Sequence, residues 1–246
     1  MNTQQVTGPE WRPIATVDVV LMTIREERLE VLILRRAAGP FAGEWALPGG
    51  YLRPEEDMSV EAAAERVLRE KAGLPPQHLE QLQVFSGPDR DPRGWSISCA
   101  LLALVPCASI EGAIAEGCRL QPVDDLLQGP GLAFDHDLIL GEAIRRLRGK
   151  GGYSTLPAAL VGDEFTLSEL RGAYEVVLGI GIDKAVFRKR MLDLGVLEET
   201  GRTTRIVPNS RPAMTYRLRD GVRTFDRQVG SASSPVRPEG KVRYQP

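Results

Sequence analysis

Thiols and imidazoles are scarce in this sequence, with three cysteines and two histidines in 246 residues. Cys99, Cys107 and Cys118 have neither the close spacing of a zinc site nor the even count of a disulfide framework. Cys99 falls in an apolar stretch and reads as a small core residue. No apolar run approaches the ~18 residues needed to cross a bilayer. Met1–Pro13 lacks the charged and apolar segments of a secretory leader. The expectation is a reduced, cytoplasmic protein with no membrane partner, built as one large or two modest domains. Neither sign of charge dominates, since the formal net charge is −2. The signs are unevenly placed, however. Residues 1–149 hold 15 Lys+Arg against 22 Asp+Glu, and residues 150–246 hold 16 against 11. Such asymmetry accompanies an acidic body joined to a nucleic-acid-binding part, and it also arises from ordinary solvated surface.

The stretch Gly49–Leu74, GGYLRPEEDMSVEAAAERVLREKAGL, carries the most chemistry. A glycine pair follows Trp45-Ala46-Leu47-Pro48, and an acidic turn, Pro54-Glu55-Glu56-Asp57, leads into a predicted helix. Ser59 is placed to cap that helix and Gly73 to end it. Arg66 and Glu70, four apart, share one helix face. Glycines, carboxylates and an Arg/Glu helix together point to a phosphate site with a divalent metal, because hard cations take oxygen ligands. An ordinary amphipathic helix after a turn is the plain alternative.

Upstream, Thr16–Thr23 and Leu29–Arg35 read as a strand pair joined by Arg25-Glu26-Glu27-Arg28. Arg35 and Arg36 either reach a phosphate or base or form a solvated pair at a strand end. Leu79–Phe85 and Trp95–Val105 read as further strands. The loop between them, with Arg90, Asp91 and Arg93, either grips a diphosphate or is a turn held by local Asp–Arg pairing. Glu116–Leu120 reads as a strand, Val123–Leu127 as a short helix, and Asp137–Arg148 as a helix capped by Asp135. His136 is a ligand contact or a structural histidine. Gly149-Lys150-Gly151-Gly152 marks a predicted domain boundary.

Beyond it, Thr166 and Glu169 have the spacing of a capping box at a helix running to about Leu178. Gly179-Ile180-Gly181 turns the chain, and Asp183 opens a second helix, Lys184–Leu194. Helix, glycine turn, helix is the helix-turn-helix arrangement. Lys184, Arg188, Lys189 and Arg190 make its second helix basic, and Phe187, Met191 and Leu194 give it a packing face. Two strands, Val196–Glu199 and Met214–Leu218, then flank a loop with Arg202, Arg205 and Arg211. That is the outline of a winged helix, whose helix enters a groove while the wing touches phosphates. A generic two-helix scaffold with surface charge is the alternative. Asp220–Pro246 reads as a disordered basic tail.

Gly49–Leu74 resembles the Nudix box. Arg66, Glu70, Gly73 and Leu74 match its C-terminal end. Gly50 and Glu56 match its glycine end once two extra residues are allowed before Arg66. Val67 and Lys71 stand where the family has metal-binding carboxylates. The pairing of this box with a winged helix resembles the NrtR family, the Nudix-related transcriptional regulators, over about residues 10–220. The resemblance rests on WALPGGYLRPEED, ERVLREKAGL, GPDRDPRG, FTLSELRGAYEVVLG, IDKAVFRKRMLDLGVLEETG and RPAMTYRL.

It implies an α/β chain: a Nudix fold, with a mixed sheet between helices, at 1–150, a winged helix-turn-helix at 151–220, and the tail at 221–246. It implies a homodimer on double-stranded operator DNA that represses genes of NAD metabolism and is released by ADP-ribose or a related nucleotide. Gly49, Gly50, Arg53, Arg90 and Arg93 would hold the diphosphate and ribose, with Arg35 and Arg36 as further phosphate or base contacts. Glu56 and Glu70 would keep a weak metal or ligand hydrogen bonds, and Arg66 would brace the loop. Lys184, Arg188, Lys189 and Arg190, with Arg202, Arg205 and Arg211 in the wing, would meet DNA. No cofactor would be required and magnesium would bind poorly, because a lysine replaces a carboxylate. The rival readings are a magnesium-dependent ADP-ribose pyrophosphatase that recruits Glu55, Glu56, Glu65 and Glu70, and a protein-interaction adaptor.

Overall fold

The computed structural model describes residues 12–73, 78–110, 112, 114–205, 211–219, 221–225 and 229. Leu74, residues 206–210 and most of the tail lie outside them. The chain opens with a hairpin, β1 (Ile14–Arg25) and β2 (Arg28–Arg35), paired antiparallel from Met22 and Val31 to Arg25 and Arg28. Its two-residue turn puts Glu26 at φ 50° and Glu27 at φ 58°, as the right-handed twist of paired strands demands, although neither is glycine or asparagine.

After β2 come β3 (Trp45–Ala46), β4 (Gly49–Tyr51), α1 (Val60–Ala72), β5 (His78–Gly87) and β6 (Ser96–Leu104). Then follow α2 (Cys107–Ile110), β7 (Cys118–Pro122), α3 (Val123–Leu127) and α4 (His136–Gly151). β1 runs parallel to β6 along one side, while its other side is shared. Residues 16–18 of β1 pair with β4, and residues 22–25 pair with β2. β5 completes one edge against β6, and β3 and β7 join β2.

Alternation along these strands loads both faces of the sheet. Val17, Val19, Leu21, Leu101 and Ala103 pack with Ala63, Ala64, Val67 and Leu68 of α1. Val20, Met22, Leu102 and Leu104 pack with Ile139, Leu140, Ala143 and Leu147 of α4. Ser59 caps α1 by accepting from the Ala62 amide, and Gly73 ends it at φ 72°. Val67 is fully buried. The box position that carries a carboxylate in the Nudix pattern here contributes about 1.5 kcal/mol or more of apolar burial.

The C-terminal part contains a 3₁₀ turn at Leu156–Leu160, β8 (Phe165–Thr166), α5 (Leu167–Leu178), α6 (Lys184–Asp193), β9 (Leu197–Thr204) and β10 (Ala213–Leu218). The strands form an antiparallel sheet in the order β8-β10-β9. The Thr166/Glu169 capping box is present, and the Asp183 side chain accepts from the Ala185 and Val186 amides to start α6. Phe165, Leu170, Tyr174, Phe187, Met191 and Tyr216 make the core of this part.

Four expectations change. Asp135 does not cap α4 through its side chain, because its backbone (φ −98°, ψ 22°) lacks the extended shape of a cap and its carboxylate is engaged elsewhere. The helix expected to stop at Arg148 does not end there. α4 continues through Gly151, where an added Cβ would stand 2.8 Å from Val177 Cγ1 of α5, so glycine serves close helix packing. The start of the tail is also built in. Thr224 bridges Ser154, the Phe225 amide donates to the Tyr153 carbonyl, and Val229 is buried. Finally, Arg202 sits inside β9, which runs on to Thr204 rather than stopping at Glu199.

Candidate functional site

The shared side of β1 opens a cleft of about 170 Å³ beside the glycine pair. Asp18, Arg36, Gly49, Gly50, Tyr51, Lys71, Arg90, Arg93, Phe134 and His136 are among its walls. The glycines are there for want of space. A Cβ on Gly49 would lie 2.1 Å from Asp18 Oδ1, and one on Gly50 would lie 3.1 Å from Val67 Cγ2.

The floor is a buried polar network. Ser98 Oγ donates to Asp18 at 2.6 Å. The Leu47 amide donates to His136 Nδ1 at 2.9 Å, so the proton of the neutral ring lies on Nε2, 3.4 Å from Asp18 Oδ1. Burial works against charge on Asp18, but His136, the Ser98 hydroxyl and Arg90 outweigh it and hold the carboxyl below the usual range. His136 is thus a structural member of the floor as well as a wall of the cleft.

Most of the arginines are occupied within the protein. Arg90 Nε and Nη2 each donate to Asp135 at 2.9 Å, and Nη1 donates to Ser96 at 3.2 Å. Arg93 forms a fork with Asp91 at 2.9 and 2.6 Å and also donates to the Tyr51 hydroxyl. The loop is therefore held by Asp–Arg pairing, with Arg90 tied across to the start of α4. Arg66 donates to both Asp57 oxygens at 2.7 Å and to the Tyr51 carbonyl at 3.0 Å, which holds Asp57 down at about 2 and braces the acidic turn.

Arg53 pairs with Glu56 and Glu70, both at 2.9 Å. These three side chains form a half-exposed network and are not among the cleft walls. Arg35 is exposed, donates to the Gly43 carbonyl, and is also not a wall residue.

Lys71 and Arg36 behave differently. Lys71 reaches from α1 into the cleft, where its ammonium donates to the Gly49 carbonyl. Arg36 Nε donates to the Pro40 carbonyl at 2.7 Å, and the guanidinium lies 4.6 Å from the Phe134 ring centroid. Burial, and then the charge of Arg93, lower the basicity of Arg36; burial, and then Arg36, lower that of Lys71. The cations of the cleft repel one another, which is the condition an incoming anion relieves. Phe134, held at φ 60°, meets Phe41 edge-on at 4.7 Å and forms an aromatic rim.

These residues do not fit a magnesium ion. Among the described residues no group of three or more His, Cys, Asp and Glu is placed to hold a metal. Val67 lies in the core, Lys71 is a cation, and Glu56 and Glu70 are both turned onto the one Arg53 guanidinium, outside the cleft walls.

A second feature lies on α6. Lys184, Arg188 and Lys189 are exposed, and Arg190 leans inward far enough for its charge to act on the buried Tyr174 hydroxyl. Lys184, Arg188 and Arg211 share one concavity with Thr166, Ser168 and Arg171 at the start of α5. Arg205, just after β9, and Arg211, just before β10, are exposed. Arg202 is instead paired with Glu164.

Residues 13–139 match the NUDIX domain family, and residues 157–218 match the NrtR DNA-binding winged helix domain. The chain is 37% identical over 208 residues to the ADPR responsive transcriptional repressor NtrR of Acinetobacter baylyi, covering 84% of this chain and 82% of the relative. The chain belongs to the NrtR family. Its fold is similar to the crystal structure of Shewanella oneidensis NrtR complexed with a 27mer DNA. The TM-score is 0.80 and the identity 35%, over 87% of this chain and 98% of that one. An ADP-ribose pyrophosphatase of Methanocaldococcus jannaschii is 36% identical over 135 residues, 54% of this chain and 74% of the relative. This NrtR-family chain thus joins a Nudix domain to a DNA-binding winged helix.

Sequence reasoning passed over Asp18, Tyr51, Phe41 and Phe134 as site residues, and noted Lys71 only as a lost ligand. One signal was available, since Asp18 interrupts an otherwise apolar strand, TVDVVLMT. The aromatic rim left none, because its rings come from loops nearly a hundred residues apart.

Proposed function

We propose that the chain is a DNA-binding transcriptional repressor of NAD-related genes, acting as a homodimer, whose Nudix cleft senses ADP-ribose without hydrolysing it efficiently. The observation that carries this reading is a cleft rich in crowded cations and poor in usable carboxylates, on the same chain as an exposed basic α6. Guanidinium and ammonium groups suit a diphosphate. The Phe134 ring offers a face for a planar base. The relative from Acinetobacter is named for its response to ADPR, and the archaeal relative for acting on ADP-ribose, so both point to this ligand class. Hydrolysis would need several carboxylates around a hard cation, and here they are engaged by arginine or replaced.

The residues before about 150 would sense the ligand and those from about 151 to 220 would bind DNA. Lys184, Arg188 and Lys189 would meet the duplex from α6, with Arg205 and Arg211 on the wing, while Arg190 and Arg202 would support the fold. α4 supports a route between the two. It begins with His136 at the cleft and ends with Gly151 against α5, about 22 Å away at 1.5 Å per residue. The ligand must favour an arrangement of the two winged helices that DNA does not, because only differential binding shifts a population. Half-site spacing leaves little tolerance for such a change.

A gel shift with DNA from upstream of the protein's own gene, with and without ADP-ribose, tests the reading. Retarded DNA that ADP-ribose releases is the expected result. AMP release at several turnovers per second in magnesium would mean that the chain is a pyrophosphatase.

A further inference from the structure

We infer that the Lys71 ammonium takes the place of the divalent cation in the Nudix cleft, so that a diphosphate-bearing ligand binds without metal. This deepens the sensor reading and rests on it. Lys71 lies on the box helix at a position where the Nudix pattern has a metal-binding carboxylate. The residue is exposed, yet its side chain lines the cleft and its ammonium donates to the carbonyl of Gly49. An ammonium has three donors in all, so two remain for phosphate oxygens. A metal in such a cleft offsets the ligand's negative charge from the protein side. Here Lys71 and Arg36 bring positive charge to that place directly. Val67, the other replaced carboxylate, is buried under Gly50. Glu70, which the box retains, is bonded to Arg53 and Arg66. One replaced position thus supplies a cation, the other leaves the cleft, and the retained carboxylate is bonded to arginines outside it.

The test is calorimetric titration of the full chain with ADP-ribose, in EDTA and in millimolar magnesium. Wild type should bind equally in both. Lys71→Met should bind about ten- to a hundredfold more weakly in both, the loss of one charge-assisted hydrogen bond. Lys71→Arg should keep metal-independent binding, and Lys71→Glu should bind only with magnesium. Wild-type affinity that collapses in EDTA, or Lys71→Met binding as wild type does, would overturn the inference. If wild type binds ADP-ribose in neither buffer, the sensor reading fails. The same series with inorganic pyrophosphate then decides on Lys71 by itself: metal-independent binding that Lys71→Met loses supports the inference, and any other result ends it. Thermal melts of all variants separate loss of binding from loss of fold.

Discussion

Around the cleft, Arg66 is held by Asp57, Arg90 by Asp135 and Arg93 by Asp91, whereas on α6 Lys184, Arg188 and Lys189 stand in solvent. The two regions are built from similar residues in opposite electrostatic states. A guanidinium bonded to a buried carboxylate organises a loop and has little left for a ligand. A cation on an exposed helix face orders nothing, yet it can replace the counterions of a polyanion. Arginine in a loop near a glycine pair therefore does not by itself identify a phosphate contact. In this cleft the cations least committed to carboxylates are Lys71 and Arg36.

The comparison breaks most readily at Arg90. Arg90→Met leaves Asp18 and Asp135 without their cation in a buried setting, and should cost about 3–5 kcal/mol in chemical denaturation. An unchanged midpoint would mean that Arg90 is spare and available to ligand. Gly151→Ala addresses the join between the regions. Overpacking against Val177 costs about 1–3 kcal/mol, and the better helix propensity of alanine returns up to about 1 kcal/mol. A net loss of about 1 kcal/mol in thermal melting is expected, together with weaker release of DNA by ADP-ribose. A more stable variant would show that α4 and α5 are loosely packed.

On the exposed side, Arg188→Ala or Lys189→Ala should leave stability within about 0.5 kcal/mol. Each should weaken binding to all DNA sequences alike and lower the salt slope by about one. A variant that loses stability but keeps its salt slope would place that side chain in the fold. The smallest effect is in acid. Asp57, bonded to Arg66, is held at about 2, and so is Glu80, where burial is outweighed by His78 and Lys150. Their unfolded values are about 3.9 and 4.3. A depressed carboxyl contributes stability that is complete above its unfolded value and is lost as pH falls toward its folded one. The melting temperature should therefore drop as pH falls from about 4 toward 2. A flat profile across that window would mean that neither pair matters.

Local pattern carried much of the architecture. The apolar strands, the Ser59 cap, the Thr166/Glu169 capping box and the Gly179 turn were legible because each rests on residues within a few positions of one another. Asp135 misled for the same reason. Its place before a helix suggested a cap, and nothing nearby announced that Arg90, 45 residues earlier, would claim both oxygens. Gly151 misled about where α4 ends, because a packing glycine and a helix-stopping glycine look alike until the opposing helix is known. Thr224, Phe225 and Val229 were too few to stand out from a polar tail.

Residue order alone settled where the longer helices and strands lie, which pattern the box follows, and where two of its carboxylates were lost. Those properties depend on short-range geometry and on residue identity. What each charge does was settled only in three dimensions, because the free energy of an ionised side chain depends on its burial and on the opposite charges within a few ångströms. Most of those neighbours are distant in sequence. A basic side chain thus became a brace at Arg66, an exposed group at Arg188 and a cation of the cleft at Lys71.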